Sequence, residues 1–276
     1  MKLDDFLSQR MKEKKFFNLN GYNDDNPQKN GQYAVLKQFI NSFQLFVDIG
    51  AHVGDFSRKL ISLRKDLDIL VFEPNPNLSS KLKKSFSNFP TVKIYSVALS
   101  NRKGKSKLYI HASNFGASSL FKRTEMMPSF QKKMKSVGVT VYTLDEYYNE
   151  ISSKAKKKGC FIKIDTEGAD LLVLKGARKI LQRPFPLFVM FEYSPEGWRE
   201  SKQTLKEALH YVESLEFNIF RILPLGLEQV RYFSQEMENF GYCNYLIIKN
   251  FKIENIFNLA RKVATRDGFS SFYPYS

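Results

Sequence analysis

Cysteine is nearly missing from this chain. Among 276 residues only Cys160 and Cys243 occur, which leaves neither a disulfide framework nor a cysteine-built metal site. Each falls at an expected strand start, so both read as core thiols in a reducing, cytoplasmic setting. Long apolar runs are absent too. None approaches the ~18 residues of a membrane-spanning helix, and Met1-Lys-Leu-Asp-Asp-Phe lacks the apolar stretch of a signal peptide. Two nucleotide fingerprints are also missing. Gly50 and Gly54 stand four apart with His52 between them, which is not G-x-G-x-x-G, and no Gly-Lys-Ser/Thr follows to make a P-loop. There is no internal repeat, low-complexity linker or second domain.

What is present starts with Leu45-Phe-Val-Asp-Ile-Gly-Ala-His-Val-Gly-Asp55, an apolar strand ending near Asp48 and turning through Gly50 and Gly54 into a helix. An acid at that strand tip repels a pyrophosphate and suits a cationic ligand. S-adenosylmethionine (SAM), with its sulfonium and amino group and no phosphate, fits. The next buried run, Leu67-Asp-Ile-Leu-Val-Phe-Glu-Pro74, ends in Glu73, a carboxylate placed to accept both ribose hydroxyls. Pro74 stops the strand, and Asn75-Pro76 begins the turn into a helix.

Asp48-Ile-Gly-Ala-His-Val-Gly54, Phe72-Glu-Pro74, Ile162-Lys-Ile-Asp-Thr-Glu-Gly-Ala-Asp170 and Phe191-Glu192 together resemble the FkbM family of SAM-dependent methyltransferases, over roughly residues 30 to 249. The resemblance implies a class I methyltransferase fold and methylation of a hydroxyl on a sugar, glycan or secondary metabolite. His52 stands where many members carry Asn, and Asp170 where Glu is more usual.

The run order supports an α/β, doubly wound, mostly parallel seven-stranded sheet of Rossmann-like type. Apolar runs at 44–49, 69–73, 92–98, 160–165 and 187–192 are too uniformly apolar to alternate, as strands buried on both faces are. Helical patterns at 54–65, 77–87 and 168–181 separate them, and 203–214 adds a later one. Two late strands are expected at 217–223 and 244–249. Residues 1–42 read as a helical or lid extension, 43–249 as the methyltransferase domain, and 250–276 as an appended helix and aromatic tail. The interval 100–159, before the fourth strand, reads as a substrate-side insertion with a Ser/Gly-rich loop at 112–119.

Four core strands finish in acids: Asp48, Glu73, Asp165 and Glu192. In an open α/β sheet the ligand sits beyond these ends, and so many carboxylates need a cationic ligand, a metal or basic partners. Lys163, on the face of Asp165, either balances the site or serves a structural ion pair. An alcohol must lose its proton as it is methylated, so a general base is expected. Asp165 is the first candidate and Glu167 and Glu192 the next, with Glu167 alternatively a helix cap. No metal is expected; the alternative is a divalent ion on Asp165 and Glu192. The cofactor set is Asp48, Gly50, His52, Gly54, Glu73, Asp165 and, flanking the adenine, Ala98 and Asn101. On the acceptor side stand His111, Asn114, Ser118, Ser119 and Trp198, the last either stacking on a sugar or packing its loop.

The net charge of +15 draws anionic partners. Lysines gather at 81–84, 102–107, 132–135 and 154–158. The acceptor that the resemblance implies is a small molecule or glycan, and an anionic group on it would suit this surface. Peripheral membrane contact is compatible with this surface. RNA methylation and non-catalytic SAM binding are the competing functions, and no Arg-rich segment or RNA-binding module favours the first.

Overall fold

The computed structural model describes residues 24–111, 118–124, 133–156, 158–224, 226–239, 241–252, 261–266 and 269–273. Along the chain the strands are β1 (Leu45–Ile49), β2 (Asp68–Phe72), β3 (Val92–Tyr95), β4 (Ala98–Leu99), β5 (Gly104–His111), β6 (Met134–Tyr142), β7 (Cys160–Ile164), β8 (Leu187–Tyr193), β9 (Asn218–Leu223), β10 (Gly226–Val230), β11 (Cys243–Lys249), β12 (Arg261–Arg266) and β13 (Phe269–Tyr273). The α-helices are α1 (Gln32–Phe39), α2 (Asp55–Leu63), α3 (Pro76–Ser85), α4 (Tyr148–Ala155), α5 (Asp170–Lys175), α6 (Arg178–Leu181), α7 (Pro195–Glu200) and α8 (Leu205–Glu213).

The main sheet runs β12-β13-β10-β9-β11-β8-β7-β1-β2-β3. Its β3-β2-β1-β7-β8 half is parallel, and β11 enters antiparallel between β8 and β9. From β1 the chain steps outward through β2 and β3, then returns to lay β7 on the other side of β1. That reversal makes the β1/β7 junction the switch point, where ligands of open α/β sheets bind.

Both faces are covered, which is why the strands do not alternate. Phe46, Phe161, Phe188 and Phe220 form one core with Val35, Leu36 and Phe39 of α1 and Leu60 of α2. Val47, Ile162, Val189 and Phe191 form the other with residues of α4 to α8. Each such side chain contributes about 1.5–3 kcal/mol by leaving water.

The doubly wound α/β class holds, with three corrections. Among the described residues the sheet has ten strands rather than seven. One addition is β10, whose Glu228 forms an ion pair with Arg221 of β9, both side chains fully buried; a charged residue hid this strand from an apolar reading. The other two are β12 and β13, which pair antiparallel in the stretch read as an aromatic tail. Of the interval 250–276, where a helix is also expected, residues 253–260 lie outside the described residues. Second, the run 92–98 is divided, because Ala98–Leu99 leaves the sheet to pair with β6. Third, the helix at 168–181 is broken, and Asp145 accepts the N–H groups of Lys179 and Ile180 at the start of its second piece. The described part of the N-terminal extension carries the helix α1, whose Phe39 packs against Phe188 on one face of the sheet. Residues 1–23 lie outside the described residues. The insertion builds a small second sheet, β4-β6-β5.

Candidate active site

A cavity of about 480 Å³ opens at the C-terminal ends of β1, β2, β7 and β8. Gly50, His52 and Glu73 form one wall, and Asp165, Thr166, Glu167 and Glu192 another. Leu108, Ser118 and Leu120 of the insertion, with Ala98, close a third. No lysine or arginine among the described residues lines it.

Gly50, at φ +75°, holds the first wall in place: a Cβ there would stand 1.8 Å from the Asp165 carbonyl oxygen. The tips of β1 and β7 cross at that glycine. Gly54 is no part of the cavity, since a Cβ there would meet Leu82 and Phe86 of the helix α3 region, so it serves helix packing. His52 occupies the left-handed region at φ 52°. Asn and His both tolerate that region better than most residues, which accounts for either type at this turn. The His52 N–H donates to Glu73 Oε2 at 2.8 Å, and Asn75 N–H donates to Oε1 at 2.8 Å. Burial still outweighs those two bonds and lifts Glu73 to about 7.

Asp48 and Lys163 are register partners on β1 and β7 and share the face under α2. Both are buried. Asp48 accepts from Ser57 Oγ at 2.6 Å, and its other oxygen lies 3.9 Å from Lys163 Nζ. Burial raises Asp48 above the usual carboxylate range. Lys163 donates to Asp165 at 2.9 Å and packs over the Phe56 ring. Burial opposes its charge, but the Asp165 and Asp48 carboxylates outweigh it and raise its pKa. Thus Lys163 lies on the face of Asp165, as the alternation predicted, and pairs with it, while Asp48 sits behind the cavity wall instead of lining it.

Asp165, Glu167 and Glu192 converge, with one carboxylate oxygen of each within 4.8 Å of the others. Burial first, then the Asp165 charge, pushes Glu167 up to about 8, against the pull of Arg123. Glu192 rises well above its ordinary value for the same two reasons. A divalent ion can be held by three such oxygens. Two of the three acids already have a cation, however: Lys163 on Asp165 and Arg123 on Glu167, the latter at 2.6 Å.

Several expected contacts fall elsewhere. Trp198 is buried against Phe191 and Tyr193 and donates its Nε1–H to the Glu192 carbonyl at 3.2 Å, so it packs the loop rather than offering a sugar platform. His111 is buried at the end of β5 and does not line the cavity. Asn101 is exposed beyond the Ala98–Leu99 strand, also outside the lining. Ser119 donates to the Glu167 carbonyl at 2.7 Å, a structural bond, whereas Ser118 faces the cavity. Asn114 lies outside the described residues. Arg123 and Tyr242 escaped the sequence reading. Arg123 sits beside lysine in a stretch that looks like surface, and Tyr242 precedes a strand without any motif.

A reversed-order parallel sheet with an acid-walled cavity at its switch point defines a class I methyltransferase that uses SAM. Residues 48–241 match the methyltransferase FkbM domain, and the chain belongs to that family. It is 22% identical over 196 residues to 2-O-methyltransferase NoeI of Sinorhizobium fredii, covering 67% of this chain and 76% of that protein. A solved methyltransferase FkbM from Methylobacillus flagellatus superposes with a TM-score of 0.40 at 17% identity, over 74% of this chain. The chain spans 43% of the length of that protein. Aeropyrum pernix fibrillarin, solved with natively bound SAM, gives a TM-score of 0.39 at 8% identity, over 80% of this chain and 68% of its own. No helix of the described residues is long and apolar enough to cross a membrane.

The residues present fit SAM. Glu73 keeps lone pairs free for ribose hydroxyls after its two backbone bonds, and the surplus of carboxylates at the far wall suits a sulfonium. A pH effect follows from Glu73. Only its ionised form accepts both hydroxyls, so SAM affinity is expected to fall as pH drops through about 7. Glu73→Ala is expected to weaken SAM about 10–100-fold and to flatten that part of the profile. Calorimetry from pH 8 to 5.5 on both proteins checks this, and parallel profiles would remove the ribose role.

Proposed function

We propose that the chain methylates a hydroxyl of a sugar, glycan or glycosylated metabolite. The observation that carries this reading is the carboxylate cluster of Asp165, Glu167 and Glu192 in the cavity wall. An amine or thiol acceptor needs no such group, whereas an alcohol must give up its proton as the new bond forms. The name of the Sinorhizobium relative, a 2-O-methyltransferase, supports the same acceptor chemistry.

Bound SAM supplies the electrophilic methyl, which passes to the acceptor oxygen and leaves S-adenosylhomocysteine. The chain's own residues align and deprotonate. Glu73 holds the ribose, and the crossing at Gly50 fixes Asp165 against the cofactor side of the cavity. Asp165 is the base, and Lys163, donating to it at 2.9 Å, aims it. Glu192 and Glu167 face the same space and hold the proton that three adjacent acids share. Ser118, Leu108 and Leu120 stand on the acceptor side. Lys163 and Arg123 already offset part of the cluster's negative charge, and the reading takes the reaction to need no metal. The buried thiols Cys160 and Cys243 suit work in a reducing cytoplasm.

Isotopically labelled SAM, incubated with the protein and a sugar, glycolipid and cell-extract panel, tests the reading. Label is expected on a sugar oxygen, at an undiminished rate after EDTA. Label on RNA or protein would overturn the acceptor class, and loss of transfer on chelation would reinstate a metal.

A further inference from the structure

Glu167 holds a backbone conformation that its own chemistry does not favour. Its φ is +56°, in the left-handed region that is costly for a residue with a Cβ. Strain of this kind persists only where the surroundings over-determine it, and it collects at active sites. The surroundings here come from the insertion. Ser119 Oγ donates to the Glu167 carbonyl oxygen at 2.7 Å, and Arg123 Nη2 reaches the same oxygen at 3.4 Å. That Nη2 also donates to the Glu167 carboxylate at 2.6 Å.

Both donors are themselves anchored. Ser119 and Tyr109 of β5 exchange backbone bonds, the Tyr109 N–H donating at 2.8 Å and the Ser119 N–H at 3.0 Å. Ser119 Oγ also accepts the Phe121 N–H at 3.1 Å, which orients the hydroxyl toward Glu167. Thr124, next to Arg123, donates its hydroxyl to the Glu200 carboxylate of α7 at 2.8 Å. Arg123 itself is 4% exposed, so water does not supply a substitute for it. Beside its guanidinium α7 presents Gly197, where a Cβ would stand 3.0 Å from Nη1. Residues 118–124 thus form a strap fixed to β5 at one end and to α7 at the other. Between those ends it grips one residue.

We propose that Arg123 and Ser119 are positioning residues: from the insertion they hold Glu167 in its left-handed conformation and so set where its carboxylate enters the acid cluster. Other groups hold the residues on either side of it. Asp170 accepts the Thr166 hydroxyl at 3.1 Å and the Gly168 N–H at 3.3 Å, and Gln203 Nε2 donates to the Gly168 carbonyl at 2.9 Å. The turn is therefore pinned at both flanks, and the insertion decides its middle. A segment whose Ser118 and Leu120 wall the acceptor side of the cavity also shapes the acid wall beside it. The assignment rests on Glu167 belonging to the cluster proposed above, but its test needs neither acceptor nor turnover, so the two readings fail separately.

The test reads the Glu167 backbone by NMR in the SAM-free protein, labelled with ¹³C,¹⁵N-glutamate, with Glu167→Gln for assignment. In the unsubstituted chain the φ-sensitive couplings of Glu167 are expected to report the left-handed region. Any other conformation overturns the proposal before a variant is made. Ser119→Ala combined with Arg123→Met removes both side-chain donors and keeps the apolar stem of the arginine. It is expected to move those couplings to right-handed or extended values. Amide exchange at Glu167 and Gly168 is expected to quicken about tenfold or more beyond any change in global stability, which urea unfolding measures. A loss of stability with the couplings unmoved would reduce the strap to packing and overturn the positioning role. Should the double variant fail to fold, Ser119→Ala alone, which loses one hydroxyl, is read by the same exchange. Quickened exchange at Gly168 then upholds the proposal, and unchanged exchange overturns it.

Discussion

Replacing Asp165 by Asn is expected to lower turnover by about 10²–10⁴-fold, the usual contribution of a positioned general base, while SAM affinity stays within a few-fold. The amide preserves shape and the approach of Lys163, yet it cannot take the acceptor proton. The loss should also change with pH. Wild-type rate rises as the cluster ionises, and Glu167, lifted to about 8, keeps part of that rise above neutrality. With Asn at 165 the like-charge repulsion on Glu167 and Glu192 falls, so both ionise at lower pH. The residual activity therefore has its acid limb displaced downward. Single-turnover kinetics with labelled SAM between pH 6 and 9 check both points. Turnover within tenfold of wild type would move the base to Glu192 or Glu167.

Gly50→Ala is expected to be nearly as severe, through structure. The added methyl would lie 1.8 Å from the Asp165 carbonyl oxygen, and the backbone there has φ +75°, a region costly for any residue with a Cβ. Neither neighbour yields cheaply, because Asp165 N–H also donates to the Ile49 carbonyl at 3.0 Å. A destabilisation of about 3 kcal/mol or more is expected. Urea unfolding measures it, and calorimetry on whatever folds should find SAM binding lost. A variant that kept wild-type stability and bound SAM normally would mean that the β1/β7 tips do not meet as described.

These two residues also show where the sequence was legible. Acids at strand ends can be placed on the correct rim of an α/β sheet from order alone, because all parallel strands finish on the same side. Glu73, Asp165, Glu167 and Glu192 arrive at the cavity for that reason. Which way each side chain points depends on pleat parity, and there the reading of Asp48 stopped short. Its parity matches Phe46 and Lys163, so it turns beneath α2 to Ser57. Trp198 failed differently. A lone tryptophan after a Pro-Glu-Gly turn looks like a surface platform, but Ser194 and Pro195 start α7 and swing the ring into the core. Arg123 could not be found at all, since its partner Glu167 lies 44 positions away along the chain and no periodicity links them, and nothing in the sequence marks Tyr242 for the cavity it lines.

The strand order has a practical consequence for anyone trimming this chain. The homologous stretch stops at residue 241, yet β11 threads between β8 and β9 and ties the two halves of the sheet together. Cutting at the homology limits would unzip that seam and strip α1 from the phenylalanines beneath it. Shared ancestry and autonomous folding have different borders in this molecule, and the shorter piece would be a fragment rather than a smaller enzyme.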